Sequence, residues 1–209
     1  MSQDDAAEYP RHDITGVILA GGRGQRMGGV DKGLMALAGK PMVTYVLDAL
    51  RLQVATIVIS ANRNLNQYGA FGCRVASDTA GEYYGPLAGV ASAMEITETK
   101  YIVTVPCDSP LVAQDLVARL YQALSQENAD ISVAHDGDRM HPVFALLRRD
   151  LLPSLQEYLQ NGHRKIDRWF AHHKLVIAYF RDEPDTFVNV NNPEEGTAVA
   201  ARLAQMRTC

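Results

Sequence analysis

Ile14–Leu19 (ITGVIL) is a short apolar run rich in β-branched residues, the pattern of a buried strand. It runs directly into a stretch that holds seven of the chain's 16 glycines: Gly21, Gly22, Gly24, Gly28, Gly29, Gly33 and Gly39. An even spread of glycine would put about one or two there. The same stretch carries Arg23, Arg26, Lys32 and Lys40 against one acid, Asp31, in a chain of net charge −4. Glycine lets backbone N–H groups approach an anion closely, and successive N–H groups form a nest for phosphate oxygens. Arginine and lysine neutralise the remaining charge. A surface loop with solvated charges is the plainer alternative. Glycine and base concentrated together after a buried strand favour phosphate binding.

The rest of the chain alternates strand and helix. Pro41–Leu52 places Val43, Val46, Leu47 and Leu50 at helical spacing. Ala55–Ser60 is a second apolar strand and Cys73–Ser77 a weaker third. Leu87–Ile96 reads as a helix, Tyr101–Val105 as a strand stopped by Pro106, and Asp115–Leu124 as a helix. Ile131–Ala134 and Val143–Leu147 flank the polar turn Asp136-Gly137-Asp138, a hairpin-type departure from strict alternation. Leu151–Leu159 and His163–His172 read as helices, and Leu175–Phe180 and Phe187–Val190 as strands. Asn192, Pro193 and Glu195 suit the N-cap, first and third positions of a last helix, a capping-box pattern. Met1–His12 reads as a disordered lead-in. These elements predict a single α/β domain: a mostly parallel sheet with helices on both faces and a small antiparallel excursion in the C-terminal half. Ligands of such sheets sit outside the carboxyl ends of the strands. The loops after Leu19, Ser60, Ser77 and Val105 are therefore the first places to look for a site.

Composition narrows the class. With 20 basic and 24 acidic residues, the chain offers no global electrostatic footprint for nucleic acid or an anionic membrane. No apolar run approaches the ~20 residues of a membrane span, and the polar start has no signal-peptide pattern. Cys73, Cys107 and Cys209 are odd in number and far apart, which argues against a disulfide framework and points to a reducing cytoplasm. His135 and His141 flank a turn, His172 and His173 are adjacent, and no metal-binding spacing joins them. They read as surface or capping residues. Cys107 has no acyl-transfer constellation around it and reads as a packing residue.

Two common phosphate loops fail. A Walker A loop ending at Gly39-Lys40 would need Ser or Thr where Pro41 stands and glycine where Leu34 stands. A dinucleotide fingerprint starting at Gly22 would need glycine where Met27 stands. The loop instead reads Leu19-Ala20-Gly21-Gly22-x-Gly24-x-Arg26-Met27-Gly28-x-x-Asp31-Lys32. This resembles the signature of nucleotidyltransferases that move a nucleoside monophosphate from a nucleoside triphosphate to an acceptor phosphate. The resemblance is closest to the molybdenum cofactor guanylyltransferases. Three later segments agree: Asp78 followed by Gly85-Pro86-Leu87-Ala88-Gly89; Pro106-Cys107-Asp108-Ser109-Pro110; and Asn189-Val190-Asn191-x-Pro193-Glu194-Glu195. Sugar-phosphate nucleotidyltransferases show leucine at Met27 and proline before the lysine. Molybdopterin cytidylyltransferases begin LAAG where this chain has Gly21-Gly22.

The resemblance covers residues 14 to 200 and implies a Rossmann-like nucleotidyltransferase fold, with a nucleotide-binding half over about 13–110 and an acceptor-binding half over about 111–209. It implies GTP and molybdopterin as substrates and transfer of GMP with release of pyrophosphate. Arg26, Lys32 and Asp108 are the implied catalytic residues, with Asp108 holding Mg²⁺. A turn or N-cap aspartate is the alternative for Asp108, and a solvated arginine for Arg26. Leu19, Ala20, Gly21, Gly22, Lys32, Ser60, Asn62, Asp78 and Asp108 would contact the nucleotide. The family often shows asparagine where Ser60 stands, and Asn62 can compensate. Gly29, Gly85, Gly89, Asn189 and Asn191 would contact the acceptor, the two asparagines alternating on one face of a strand. Transient contacts with cofactor-synthesis proteins and recipient apo-enzymes would accompany a monomer. The competing readings are cytidylyl transfer to the same pterin, nucleotidyl transfer to a sugar phosphate, and a non-catalytic carrier of the finished cofactor.

Overall fold

The structure, a computed structural model, describes residues 9–21, 31–78 and 85–206. In chain order the strands are β1 (Ile14–Leu19), β2 (Ala36–Leu37), β3 (Lys40–Pro41), β4 (Thr56–Ser60), β5 (Arg74–Ala76), β6 (Tyr101–Pro106), β7 (Ile131–His135), β8 (Met140–Arg148) and β9 (Leu175–Tyr179). The helices are α1 (Met42–Arg51), α2 (Leu65–Gly69), α3 (Pro86–Glu95), α4 (Leu116–Glu127), α5 (Leu152–Gln160), α6 (Ile166–Phe170) and α7 (Pro193–Met206). Among the described residues seven strands form one sheet in the order β5–β4–β1–β6–β8–β7–β9, and β2 and β3 form a separate hairpin. β1 is paired in parallel on both sides, with β4 and β6. Within that sheet β8 alone runs against its neighbours, between β6 and β7, so the expected antiparallel excursion is a single reversed strand.

Burial explains why these runs become these elements. Ile14, Val17 and Ile18 of β1 are fully buried, as a strand covered on both faces must be. On one face, Val43, Val46, Leu47 and Leu50 of α1 and Leu116, Val117, Leu120 and Leu124 of α4 pack on the sheet. On the other, Leu87, Val90 and Met94 of α3 join Leu155 and Tyr158 of α5 and Trp169 and Phe170 of α6. Each such side chain contributes about 1.5–3 kcal/mol when fully buried. A third, smaller core joins Leu37 of the hairpin, Met42 and Tyr45 of α1, Leu111, Val190 and Val199 of α7. It fastens the last helix and the segment before it to the ligand edge of the sheet.

Four segments depart from the sequence reading. Phe187–Val190 is not a strand: a 3₁₀ turn covers Pro184–Phe187, and the Val190 N–H is taken by the Asp108 carbonyl at 2.8 Å instead of a ladder partner. His163–His172 is helical only over α6, because Gly162 at φ +80° ends α5 and its neighbours turn before the chain resumes. Tyr9–His12 is not a loose lead-in. The Tyr9 hydroxyl donates to Gln53 O at 2.7 Å, and the Arg11 guanidinium donates to Val54 O at 3.2 Å and Arg51 O at 2.6 Å. Residues 1–8 lie outside the described residues. Gly39 does not belong to a phosphate loop: at φ +81° it completes the turn between β2 and β3.

Gly89 sets how closely α3 lies on the sheet. A Cβ there would collide with Ser60 Oγ and come within 3.5 Å of Leu19 Cδ2. We expect Gly89→Ala to cost about 1–3 kcal/mol by overpacking, seen as a Tm lower by several degrees for a chain this long. Ser60→Ala in the same background removes the clashing oxygen and should restore part of the loss. Equal Tm values for wild type and Gly89→Ala would refute the close-packing account.

Candidate functional site

The site is built at the carboxyl ends of β1, β4, β5 and β6. Backbone hydrogen bonds carry the register past the strand ends: Ala20 N donates to Ser60 O at 2.8 Å, Ala61 N to Ala76 O at 2.9 Å and Cys107 N to Leu19 O at 3.1 Å. Residues 20, 61, 77 and 107 therefore leave the sheet side by side.

Lys32 enters from a buried carboxylate. Asp31 is 9% exposed, and its Oδ1 accepts from the Tyr68 hydroxyl at 2.5 Å and its Oδ2 from Asn64 Nδ2 at 2.9 Å. The Arg63 guanidinium adds an ion pair at 3.9 Å. A buried carboxylate is tolerated only with this kind of compensation. Burial, with Cys107 and Asp31 nearby, pushes the Tyr68 hydroxyl far above its ordinary range, so it stays a donor. Gly33 follows, where a Cβ would strike the Tyr68 hydroxyl and press on Cys107 Sγ. Cys107 is a packing residue as expected, its thiol pushed up strongly by burial. The 3₁₀ turn Lys32–Leu34 thus leaves a fixed root and aims the lysine outward.

Lys32 Nζ lies 3.1 Å from Asp108 Oδ2 and donates to Asn191 Oδ1 at 2.5 Å. The pair is largely shielded, with side-chain exposures of 26% for Lys32 and 14% for Asp108. Asn189, two residues before Asn191, lies beside this junction: its Oδ1 accepts from the buried Ser109 hydroxyl at 2.6 Å. Asn191 is itself held by the start of α7. Its N–H donates to Glu195 Oε2 at 2.6 Å, the Glu195 N–H donates to Asn192 Oδ1 at 2.8 Å, and Asn192 Nδ2 returns to Glu195 Oε1 at 2.8 Å. The capping box expected from the sequence is present, and it positions Asn191 as well as starting the helix. The two asparagines meet the site from an irregular segment, not from one face of a strand.

A second cluster forms beside it. Asn62 and Asp78 hold each other through Asn62 Nδ2 to Asp78 Oδ2 at 2.8 Å and Asp78 N to Asn62 Oδ1 at 2.9 Å, and Ser92 Oγ donates to Asp78 Oδ1 at 3.3 Å. Gly21 adjoins Asn62: a Cβ on it would sit 3.5 Å from the Asn62 amide nitrogen. Ser60 is buried against Gly89. Gly85 caps α3 at φ +81°, and among the described residues nothing lies within 4 Å of where its Cβ would be. Arg26, Gly22 and Gly29 lie outside the described residues.

A junction of lysine, carboxylate and two amides at a sheet edge suits an anionic substrate, and comparison with known proteins narrows the class. Residues 16–177 match the model of the MobA-like NTP transferase domain. The chain belongs to that family. It is a nucleotidyltransferase. It is 47% identical over 192 residues to the molybdenum cofactor guanylyltransferase of Shewanella sediminis (strain HAW-EB3), covering 92% of this chain and 98% of that protein. The protein of the same name from Shewanella pealeana is 47% identical over 191 residues, covering 91% and 96%. Among solved structures, the molybdopterin-guanine dinucleotide biosynthesis protein A of Archaeoglobus fulgidus superimposes with a TM-score of 0.75 at 21% identity, over 91% of this chain and 99% of that one. That likeness speaks for the fold.

Three parts of this transferase site are not legible in the sequence. The Asp31 cage draws on Arg63, Asn64 and Tyr68, which share no periodic signal with the loop. Ser109 is legible only as a neighbour of Asp108. His141 is not a surface histidine: it is 8% exposed and its Nε2 lies 2.7 Å from Asp136 Oδ2. Among the described residues no three His, Cys, Asp or Glu groups cluster as a ready metal cage. Asp108 fits a different arrangement, in which a hard divalent cation takes one protein carboxylate and shares substrate phosphate oxygens.

The cage can be tested on its own. Tyr68→Phe removes a donor from a buried carboxylate, a change that costs about 1.5–3 kcal/mol for a bond to a charged group. The expected fall in Tm is roughly 5–10 °C. A Tm within one degree or so of wild type would show that Asp31 does not depend on that hydroxyl.

Proposed function

We propose that the chain transfers GMP from GTP to the terminal phosphate of molybdopterin, releasing pyrophosphate and forming the guanine dinucleotide cofactor. The observation that carries the reading is Lys32 Nζ shared between Asp108 and Asn191. In this reading the cation stands where a nucleotide-binding half, about 13–110, meets an acceptor-binding half, about 111–209. The names of the relatives, similar along nearly the whole chain, support the substrates. The free thiols of Cys73 and Cys107 support a reducing, cytoplasmic setting.

In this reading an oxygen of the acceptor phosphate attacks the α-phosphorus of GTP in line. A phosphorus–oxygen bond forms, the bond to the β-phosphate breaks, and pyrophosphate leaves with the electron pair. The attacking phosphate is already anionic, so the chain needs no strong general base. Lys32 and Arg26 neutralise the phosphates, and the N–H groups of Gly21 and Gly22 cradle them. Asn62, Asp78 and Ser60 bound the nucleoside. Asn189, Asn191, Gly29 and Gly85 bound the acceptor, with Gly89 contributing through the packing of α3. Asp108 would hold Mg²⁺, which when bound supplies positive charge to the phosphate oxygens. Asp108 is free to do so once Lys32 turns from it to the triphosphate, since Asn191 still holds the lysine.

Two measurements test this. A thermal-shift panel of GTP, CTP, UTP and ATP with Mg²⁺ should show a rise with GTP alone. At ~100 times the dissociation constant the gain is about 2.7 kcal/mol, or roughly 5–10 °C here. A rise with CTP instead would favour the cytidylyl reaction. Product binding without pyrophosphate release would favour a carrier. Asp108→Ala should abolish turnover with the fold intact, and chelation of divalent ions should do the same to wild type, reversed by added Mg²⁺. Near-normal turnover of that variant at limiting Mg²⁺ would remove Asp108 from the metal role.

A further inference from the structure

The reversal of β8 brings the β7–β8 turn to the same sheet edge as the site. That turn is shaped by Asp136: its Oδ1 accepts from the N–H groups of Asp138 and Arg139, each at 2.8 Å. Its Oδ2 meets His141 Nε2 at 2.7 Å. A carboxylate can only accept, so the histidine nitrogen donates. The His141 ring is stacked on Phe187, with centroids 4.1 Å apart and planes 10° from parallel, and meets Phe144 edge-on. These groups form a wall. Asp136, His141 and Phe187, together with Asn189 and Asn191, line a cavity of about 370 Å³ whose rim carries Arg139. Arg139 is exposed, and its guanidinium has no partner among the described residues.

The cavity adjoins the Lys32–Asp108 pair through two residues. Asn191 lines it and holds Lys32, while Asn189 lines it and holds Ser109, next to Asp108. A molecule with its phosphate at Lys32 and Asp108 therefore extends into this cavity. Its walls suit a flat, nitrogen-rich ring: an aromatic floor, a carboxylate with one acceptor position left on Oδ2, and a guanidinium. The volume lies at the small end of the range for ligand sites, about 300–1,000 Å³. The Asp136 carboxyl is held below the ordinary carboxylate range by the Arg139 N–H first and by His141 next, so it stays an acceptor.

We infer that this cavity seats the pyrimidine edge of the acceptor's pterin, with Asp136 accepting from a ring N–H and Arg139 donating to the ring's keto oxygen. The inference rests on the proposed transfer to molybdopterin. His141 is then a positioning residue, holding Asp136 and, through Phe187, the segment that carries Asn189 and Asn191.

The test compares Asp136→Asn, Arg139→Ala and wild type in steady-state transfer to molybdopterin, with GTP affinity measured separately. Asparagine keeps the Oδ1 that closes the turn and puts an NH₂ donor at the Oδ2 position, where it faces both the ring and His141 Nε2, which can accept in its other tautomer. The expected result is a rise of roughly tenfold in KM for molybdopterin in each variant, with GTP affinity unchanged in both and the Tm of Arg139→Ala unchanged. An unchanged KM for molybdopterin in both variants would overturn the assignment. So would equal losses toward both substrates with a lowered Tm, which would make Asp136 a residue of the turn alone. Absence of guanylyl transfer by wild type that still binds GTP would sink the proposed function instead.

Discussion

The ammonium group of Lys32, held between Asp108 and Asn191, is the contact on which the rest of the site depends. Its partners lie 76 and 159 positions away in sequence. A lysine side chain on its own is a flexible stem with a strongly hydrated head, so its position has to be imposed from outside. Here it is imposed at both ends. The Asp31 cage and the close approach at Gly33 fix the root, and a carboxylate and an amide fix the tip. Each tip partner has its own anchor. The Asp108 carbonyl accepts from Val190 N, and Asn191 is bound through its N–H to the capping glutamate of α7. Loss of either tip anchor loosens the other, because both bear on the segment from 189 to 195.

The sheet explains why such distant residues meet. The strand order turns back at β1, with β4 and β5 on one side and β6 on the other. Loops leaving β1 and its neighbours diverge there and open a crevice at their carboxyl ends. Antiparallel β8 adds something that a wholly parallel sheet would not. A parallel connection returns to the far edge before the next strand begins, whereas a hairpin turns at once. The β7–β8 turn, with Asp136 and Arg139, therefore stays at the ligand edge and supplies a wall opposite Asn189 and Asn191.

Much of this frame was legible in the sequence because its signals are local. Val43, Val46, Leu47 and Leu50 repeat at the helical period, and a β-branched run such as Ile14–Leu19 has few other uses. The Asn192–Glu195 cap spans four residues and was read correctly for the same reason. The Phe187–Val190 strand failed where a non-local bond decided the outcome, since the carbonyl that takes the Val190 N–H belongs to Asp108. The burial of His141 is not legible because its partner lies across a turn and its stacking partner 46 positions on. The motifs pointed to Lys32, Asp108, Asn189 and Asn191 through family resemblance, but not to the contacts among them. Nothing periodic ties Tyr68 or Asn64 to Asp31, so the cage had no sequence signature to find.

The Lys32–Asp108 pair also bears on how a site of this kind stays folded while open. A shielded carboxylate without a partner carries a desolvation cost of several kcal/mol, and a shielded ammonium does too. Paired, each offsets the other's cost and keeps the other aimed at the crevice. In the proposed reaction an incoming triphosphate would compete for the lysine, and the carboxylate would then take a different cation. Asn191 makes that exchange less costly. As a neutral acceptor it loses nothing electrostatically when the charges around it are redistributed, and it keeps hold of Lys32 throughout. A second carboxylate at that position would hold the lysine more tightly but would repel the phosphates. An apolar residue would leave the lysine with Asp108 as its single anchor. An amide on a capped, rigid segment satisfies both requirements, which gives a physical reason for asparagine at position 191.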